Sequence, residues 1–179
     1  DGRTVRAGYV LCNIMPHIVY GKLIRPELAP PMELKTANAR TLGARGFSVY
    51  LGLNRSAAEL GIKDYAFFLN TTTSNPTQVK NCATMEYDDL CANCLNIMVP
   101  DASPEGTCIV YLTNMFSGDA FSEVTPENYR QMKTDYAKRL IARYEKALGI
   151  SLSPYIEEVV IASPVTFARY LGTPQGAVF

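Results

Sequence analysis

Residues 96–113 read NIMVPDASPEGTCIVYLT, and two apolar runs in this stretch flank a turn. The runs at 96–101 and 107–113 have the length of strands, and the Pro and Gly at 103–106 favour a chain reversal between them. The pattern therefore predicts an antiparallel hairpin with a long turn.

Further strand patterns lie on both sides of this hairpin. Each is a short run rich in β-branched and aromatic residues, and they occur at residues 9–12, 47–53, 65–70 and 156–162. The first follows Asp1-Gly2, a favourable hairpin turn, so we expect its partner strand to lie upstream of residue 1. With the hairpin, the chain has about six predicted strands.

One long amphipathic helix is predicted between residues 125 and 149. Thr125 can cap it, Pro126 and Glu127 suit its first turn, and Gly149 ends it. Apolar residues follow at spacings of three and four, which gives a helix of about six turns: Tyr129, Met132, Tyr136, Leu140, Tyr144 and Leu148.

Shorter helices are predicted at residues 18–24, 32–38 and 56–60. Ser56 and Glu59 have the spacing of a capping box, and Gly61 ends that helix. Residues 25–46 are otherwise an irregular connector, residues 71–78 a polar loop, and the pair at 163–164 breaks the last strand. Only the last two strands have a long helix between them, so we predict an α+β fold with a mainly antiparallel, mixed sheet and helices on one face.

The amino-acid composition limits the possible classes of function. The 179 residues are 47% hydrophobic and 19% charged, and 17 basic residues balance 17 acidic ones. This balance gives no electrostatic support to nucleic-acid binding. No apolar run has the 18 or more residues that a transmembrane helix needs, while peripheral membrane contact stays open. The abrupt start and end predict a domain excised from a longer protein.

The five cysteines are odd in number and lie among apolar neighbours, which predicts reduced thiols and a cytoplasmic location. Cys91 and Cys94 have the two-residue spacing of a redox or zinc pair. However, Cys82 and Cys108 do not repeat that close pairing, as a structural zinc site normally does. We therefore predict no metal site and interpret the cysteines as small hydrophobes on a buried strand.

Few residues qualify for acid–base chemistry. His17 is the one histidine, so this chain alone cannot supply a catalytic triad, although His17 could act as a lone base or only satisfy local backbone groups. The carboxylate pairs at 88–89 and 157–158 point to opposite faces of an extended chain. No glycine-rich phosphate motif is present.

Three motifs together resemble one enzyme family. They are residues 13–17 (NIMPH) after the first strand, residues 96–107 (NIMVPDASPEGT), and residues 166–177 (TFARYLGTPQGA), of which the last is the most specific. They resemble the FAD-dependent phytoene desaturase, carotenoid isomerase and retinol saturase family over nearly the whole chain.

The resemblance implies a substrate-binding domain inserted into a discontinuous flavin domain. Residues 1–13 would be the end of a flavin-domain strand, residues 14–165 the substrate domain, and residues 166–179 a return segment toward the flavin domain. Both main FAD-binding parts would lie outside this chain, so FAD is expected in the full-length protein and none on these 179 residues. The Cys91 and Cys94 pair is a departure from the family pattern.

The resemblance also implies where the flavin would lie. Asn13, Met15, Pro16 and His17 would leave the flavin domain near the cofactor, and the chain would return through a second set, with the two segments side by side: Arg169, Tyr170, Gly172, Thr173, Pro174 and Gly176. His17, Arg169 and Tyr170 are the candidates for a catalytic role.

We therefore predict the substrate-binding domain of an FAD-dependent oxidoreductase that acts on a long apolar, polyisoprenoid-like molecule. Its partners would be that substrate and the flavin-binding domain of the same chain, and the excised domain would be inactive alone. Desaturation, saturation and isomerisation stay open. The alternatives are a non-catalytic apolar-ligand or protein-interaction module and a thiol or metal module built on Cys91 and Cys94.

Overall fold

The computed structural model describes residues 2–118 and 120–178 and divides the chain into two compact units. The first unit ends at Thr41 and the second begins at Leu42. The predicted boundaries at residues 13 and 165 follow from the family resemblance and stay predictions.

The first unit is helical from Pro16 onward. It contains helix α1 (Pro16–Ile18), which continues as a turn of π-helix (Val19–Leu23), a 3-10 turn (Pro26–Leu28) and helix α2 (Pro31–Ala39). These elements confirm the helices predicted at 18–24 and 32–38. Residues 9–12 form no strand among the described residues, and Tyr9 and Leu11 are exposed. Because the expected partner strand lies upstream of residue 1, the strand at 9–12 stays a prediction.

The second unit is built on a five-stranded sheet. In chain order its strands are β1 (Arg45–Leu53), β2 (Ala66–Leu69), β3 (Leu90–Cys94), β4 (Cys108–Phe116) and β5 (Ile156–Ala162). Their order in the sheet is β2-β3-β4-β1-β5, and every neighbouring pair is antiparallel. Its helices are α3 (Asn75–Asn81), α4 (Leu95–Met98), α5 (Tyr129–Leu148) and α6 (Pro164–Leu171), with 3-10 turns at Pro100–Ala102, Ser153–Tyr155 and Pro174–Gly176.

Helix α5 covers one face of this sheet. Its buried side chains are Tyr136, Ala137, Leu140 and Tyr144, and the Tyr136 ring lies 4.9 Å from that of Phe47 in an edge-to-face contact. The covered face comprises alternate residues of each strand, and its fully buried members include Val49, Leu51, Val110, Leu112 and Phe116. The α+β fold with an antiparallel sheet is confirmed.

The hairpin predicted at 96–113 is only partly correct. Its second strand is β4, but residues 95–98 form α4, and the strand that immediately precedes β4 in the chain and pairs with it is β3. The Asn96 side chain explains the difference, because its Oδ1 accepts the backbone N–H of Ile109 (2.9 Å) and its Nδ2 donates to Ser103 Oγ (2.8 Å). A side chain therefore takes the place of a ladder partner.

Three other boundaries differ from prediction. Part of the loop predicted at 71–78 is helix α3, and residues 57–61 form a hydrogen-bonded turn whose predicted Ser56–Glu59 capping box is present. Helix α5 begins at Tyr129 because Thr125 and Asn128 bond reciprocally in a preceding turn. It ends at Gly149, as predicted.

Candidate functional site

The face of the sheet opposite α5, here called the open face, is the main uncovered feature of the second unit. Cross-strand pairing places every second residue of each strand on it. Its members are Gly46, Ser48, Tyr50 and Gly52 of β1; Ala66 and Phe68 of β2; Cys91 and Asn93 of β3; Ile109, Tyr111, Thr113 and Met115 of β4; and Glu158, Val160 and Ala162 of β5.

The open face is apolar and partly in solvent. Tyr50 is 39% exposed, Val160 59% and Phe68 76%, whereas Val49 and Leu112 of the covered face are 0% exposed. Among the strand residues assigned to the open face, only Glu158 is charged. A contiguous apolar patch of this kind is typical of a binding surface.

Aromatic and small polar groups occupy the middle of the open face. The rings of Tyr50 and Tyr111 lie 5.9 Å apart, with 30° between their planes, so they form an aromatic pair across β1 and β4. Beside them, the hydroxyls of Ser48 and Thr113 bond to each other at 2.9 Å. In that bond one hydroxyl donates to the other, so only one of the two hydroxyl protons is left without a partner in this pair.

A second polar group, here called the β3–β4 cluster, consists of Tyr65, Cys91, Asn93 and Tyr111. The Cys91 thiol donates to Asn93 Oδ1 at 3.3 Å. Burial is the main cause that raises the pKa of Tyr111, and a side-chain hydrogen bond with Tyr65 raises this pKa further. All four side chains are partly or fully buried, so the cluster lies in a low-polarity environment.

Helix α6 lies against one end of the open face. Ser163 caps it with a capping box to Thr166, and the Ser163 hydroxyl also bonds to the Tyr129 hydroxyl at 2.7 Å. The ring of Phe167 packs on Gly46, where a Cβ would lie 3.0 Å from Phe167 Cε2. Gly46 therefore permits the close approach of α6 to the sheet.

Arg169 and Tyr170 extend from α6 into solvent. Tyr170 is 79% exposed, and the Arg169 guanidinium lies 6.0 Å from the centre of its ring in a cation–π contact. The two side chains thus contact each other and contribute little to the core of the unit.

The turn after α6 has a strongly constrained backbone. Gln175 has φ of +54° and Gly176 has φ of +74°. At Gly176 a Cβ would lie 2.0 Å from the carbonyl oxygen of Pro164, so only glycine fits there. Thr173 is buried, and its hydroxyl has no hydrogen-bond partner among the described residues.

Arg45 fixes this turn to the sheet. Its guanidinium donates to Gln175 Oε1 and to the backbone carbonyl of Gly118. The backbone N–H of Val178 donates to Ala44 O at 2.9 Å. The segment predicted to return toward the flavin domain is therefore held at the beginning of β1.

The other predicted site residues lie in the first unit. Asn13 is exposed and precedes α1, whereas Met15, Pro16 and His17 are half-buried at the beginning of that helix. Pro16 also lines a cavity of about 220 Å³ in this unit, together with Glu33 and Arg40. The predicted adjacency of residues 13–17 to the return segment stays a prediction.

The cysteines do not form a Cys-x-x-Cys site. Cys91 pairs with Thr113 on the open face and Cys94 with Val110 on the covered face, because residues three apart in a strand point to opposite sides. Cys94 instead lies beside Cys108, and their hydrogen bond, together with burial, raises the pKa of the Cys108 thiol. In residues 2–118 and 120–178, no group of three His, Cys, Asp or Glu side chains could hold a metal ion.

The one glycine-rich turn near the open face, residues 172–176, is closed by its own packing, since Gly176 lies against Pro164 O. No described helix is long and apolar enough to cross a membrane.

A comparison with curated proteins finds a similarity to the chloroplastic prolycopene isomerase of Arabidopsis thaliana. The two sequences are 23% identical over 176 residues, and this alignment covers 98% of the present chain and 28% of the isomerase. The chain thus spans about a quarter of the length of this curated relative. No family model matches the chain. This similarity is compatible with the family resemblance of the three sequence motifs.

The open face and the β3–β4 cluster were not predicted as site residues. A signal was present in β4, which reads CIVYLTNMF without regular polar alternation. Such a strand is apolar on both faces and needs cover on both. No sequence pattern predicts that Tyr65, Asn93 and Tyr111 lie together. They come from three separate parts of the chain and meet only because β2, β3 and β4 pair with one another.

Proposed function

We propose that this chain forms the substrate-binding part of an FAD-dependent oxidoreductase and that its open face is one wall of a channel for a long apolar, polyisoprenoid-like molecule. The observation that carries this proposal is an apolar, aromatic sheet face with one charged member, Glu158. The similarity to a protein named prolycopene isomerase supports the same class of substrate.

The shape and chemistry of the open face suit such a ligand. An extended hydrocarbon gains about 25 cal/mol for each Å² of apolar surface that it buries, and the Tyr50–Tyr111 pair offers aromatic surface of that kind. Strands are about 4.8 Å apart, so the five strands together span roughly 19 Å. A rod-shaped molecule can therefore lie across several strands.

The flavin would be bound by parts of the protein outside this chain and would supply hydride transfer when bound. The contribution of this chain would be to hold an unreactive hydrocarbon in a dry position, a task for apolar walls that needs few titratable side chains. We expect the purified 179-residue chain to be colourless and a protein extended at both ends to be yellow. Stoichiometric FAD absorbance on the 179 residues alone would contradict this assignment.

Binding of the rod-shaped hydrocarbon diphenylhexatriene tests the proposed wall directly, because its fluorescence rises in an apolar site. We expect saturable binding to the 179-residue chain and at least tenfold weaker binding after Val160→Asp, which puts a charge on the open face. The matched control is Val79→Asp on α3, since Val79 is 69% exposed and lies outside the sheet.

Absence of saturable binding would contradict the proposed wall. An equal loss in both variants would mean that the probe reports general surface hydrophobicity and would contradict it as well. If the chain binds the probe but an extended, flavin-containing protein turns over no polyisoprenoid, the alternative of a non-catalytic apolar-ligand module would be correct.

A further inference from the structure

The β3–β4 cluster places hydrogen-bonding groups in the middle of a largely apolar surface, next to the Ser48–Thr113 pair. Apolar or aromatic members of the open face lie on both sides of it, with Phe68 on β2 and Tyr50 on β1. A wall for a pure hydrocarbon gains nothing from such groups, because their desolvation by the ligand costs free energy unless the ligand replaces the lost hydrogen bonds.

The cluster has donors left over after its internal bonds. A hydrogen bond between the Tyr65 and Tyr111 hydroxyls uses at most one of their two protons, so at least one O–H stays available to a ligand. Asn93 accepts from Cys91 through Oδ1, while its amide nitrogen has no hydrogen-bond partner among the described residues. At least one O–H and the Asn93 N–H groups can therefore donate to a ligand atom.

The lack of basic side chains on the open face determines which kind of ligand atom can bind there. None of the strand residues on the open face is Lys or Arg, so a carboxylate or phosphate buried there would have no counter-ion. A neutral oxygen needs none, and it accepts the donors that Tyr and Asn provide.

We propose that Tyr65, Tyr111 and Asn93 bind a neutral oxygen atom, of a hydroxyl or carbonyl group, at one end of the apolar ligand. This inference rests on the proposed function, because the rest of the ligand would lie on the open face over Tyr50 and Val160. It makes the substrate an oxygenated long-chain molecule instead of a pure hydrocarbon.

Two fluorescent probes of the same shape test this inference with the 179-residue chain. Diphenylhexatriene has no polar group, and its 4-hydroxymethyl derivative carries one hydroxyl at one end. We expect the double variant Tyr65→Phe with Tyr111→Phe to bind the derivative about three- to tenfold more weakly, the range for a lost neutral hydrogen bond. Its affinity for diphenylhexatriene should stay within twofold of the original.

A second variant and a control complete the experiment. Asn93→Leu keeps the side-chain shape and should weaken only the binding of the hydroxymethyl derivative. It tests the inference if the double variant does not fold. Tyr155→Phe removes a hydroxyl on the covered side of the sheet and should change neither affinity.

The outcomes separate this inference from the proposed function. If diphenylhexatriene binds but the cluster variants weaken both probes equally or neither, the oxygen site is wrong and the apolar wall stands. If neither probe binds the unmodified chain, both proposals are wrong.

Discussion

The two faces of the sheet share an apolar composition but differ in what covers them. On the covered face Val49 and Leu112 are fully buried under α5, whereas on the open face the neighbouring Tyr50 is 39% exposed. Both faces use the same strands, so the difference comes from the helices and not from the strand sequences. A large apolar face that stays exposed is typical of a surface that binds a ligand or a partner.

The largest expected effect comes from a truncation on the covered face. Leu112→Ala removes a fully buried side chain and should lower the free energy of unfolding by about 2–5 kcal/mol. Phe68→Ala on the open face removes a larger side chain that is 76% exposed, and we expect it to cost less than about 1 kcal/mol. Urea unfolding of both variants measures the two values.

Equal losses in these two variants would contradict the division into a covered and an open face. It would mean that Phe68 packs against a surface that the 179-residue chain itself provides. A large loss confined to Leu112→Ala would sharpen the division.

The next effect is expected on turnover and not on stability. Arg169 and Tyr170 extend from α6 at the end of the open face, and both are exposed. If the full-length protein has the proposed function, we expect Arg169→Ala and Tyr170→Ala each to reduce its turnover at least tenfold, about 1.4 kcal/mol of barrier, with a nearly unchanged melting temperature. Proportionate losses of stability and activity would make the pair structural.

A smaller effect on stability is expected when the same substitution, Cys→Ala, is made on each face of the sheet. Cys94 is 1% exposed on the covered face, so Cys94→Ala should lower the free energy of unfolding by about 1 kcal/mol. Cys91→Ala on the open face should cost half of that or less. Elemental analysis should find no zinc in either variant or in the unmodified chain, and one zinc per chain that is lost with either cysteine would contradict both expectations.

The sequence predicts the covered face better than the open one. The strands at 47–53, 65–70 and 156–162 and the stripe of α5 follow from local periodicity, which reports burial against a single partner. The sequence does not predict strand β3, because Cys, Ala and Asn have weak strand propensity. The apolar run at 96–101 has the pattern of a strand, but in the structure the Asn96 side chain bonds to the backbone of Ile109 in place of a strand partner. Short apolar runs do not distinguish helix from strand.

The candidate site was predictable only in its constrained turn. The Gly and Pro residues of 172–176 are typical of a tight turn, and Gln175 and Gly176 have the left-handed backbone of such a turn. The contact of Gly176 with Pro164 O shows why glycine is needed there. By contrast, the β3–β4 cluster depends on strand order, and strand order is set by packing across the whole sheet.

The smallest effect concerns alkaline pH and again belongs to the covered face. Burial raises the pKa of Tyr144 above its ordinary value of 10, so the folded state keeps this phenol neutral while the unfolded state ionises. Stability from Tyr144 is therefore complete well below pH 10 and is lost as the pH rises through 10 and beyond, by roughly 0.8 kcal/mol between pH 9 and 10.5. We expect Tyr144→Phe to remove this dependence of the free energy of unfolding on pH, as measured by urea unfolding. Leu140→Met is the control, because it changes a buried side chain without an ionisable group and should leave the dependence as it is.

An unchanged pH dependence in Tyr144→Phe would mean that the Tyr144 hydroxyl reaches solvent. Helix α5 would then cover this end of the sheet less completely than the 1% exposure of Tyr144 indicates.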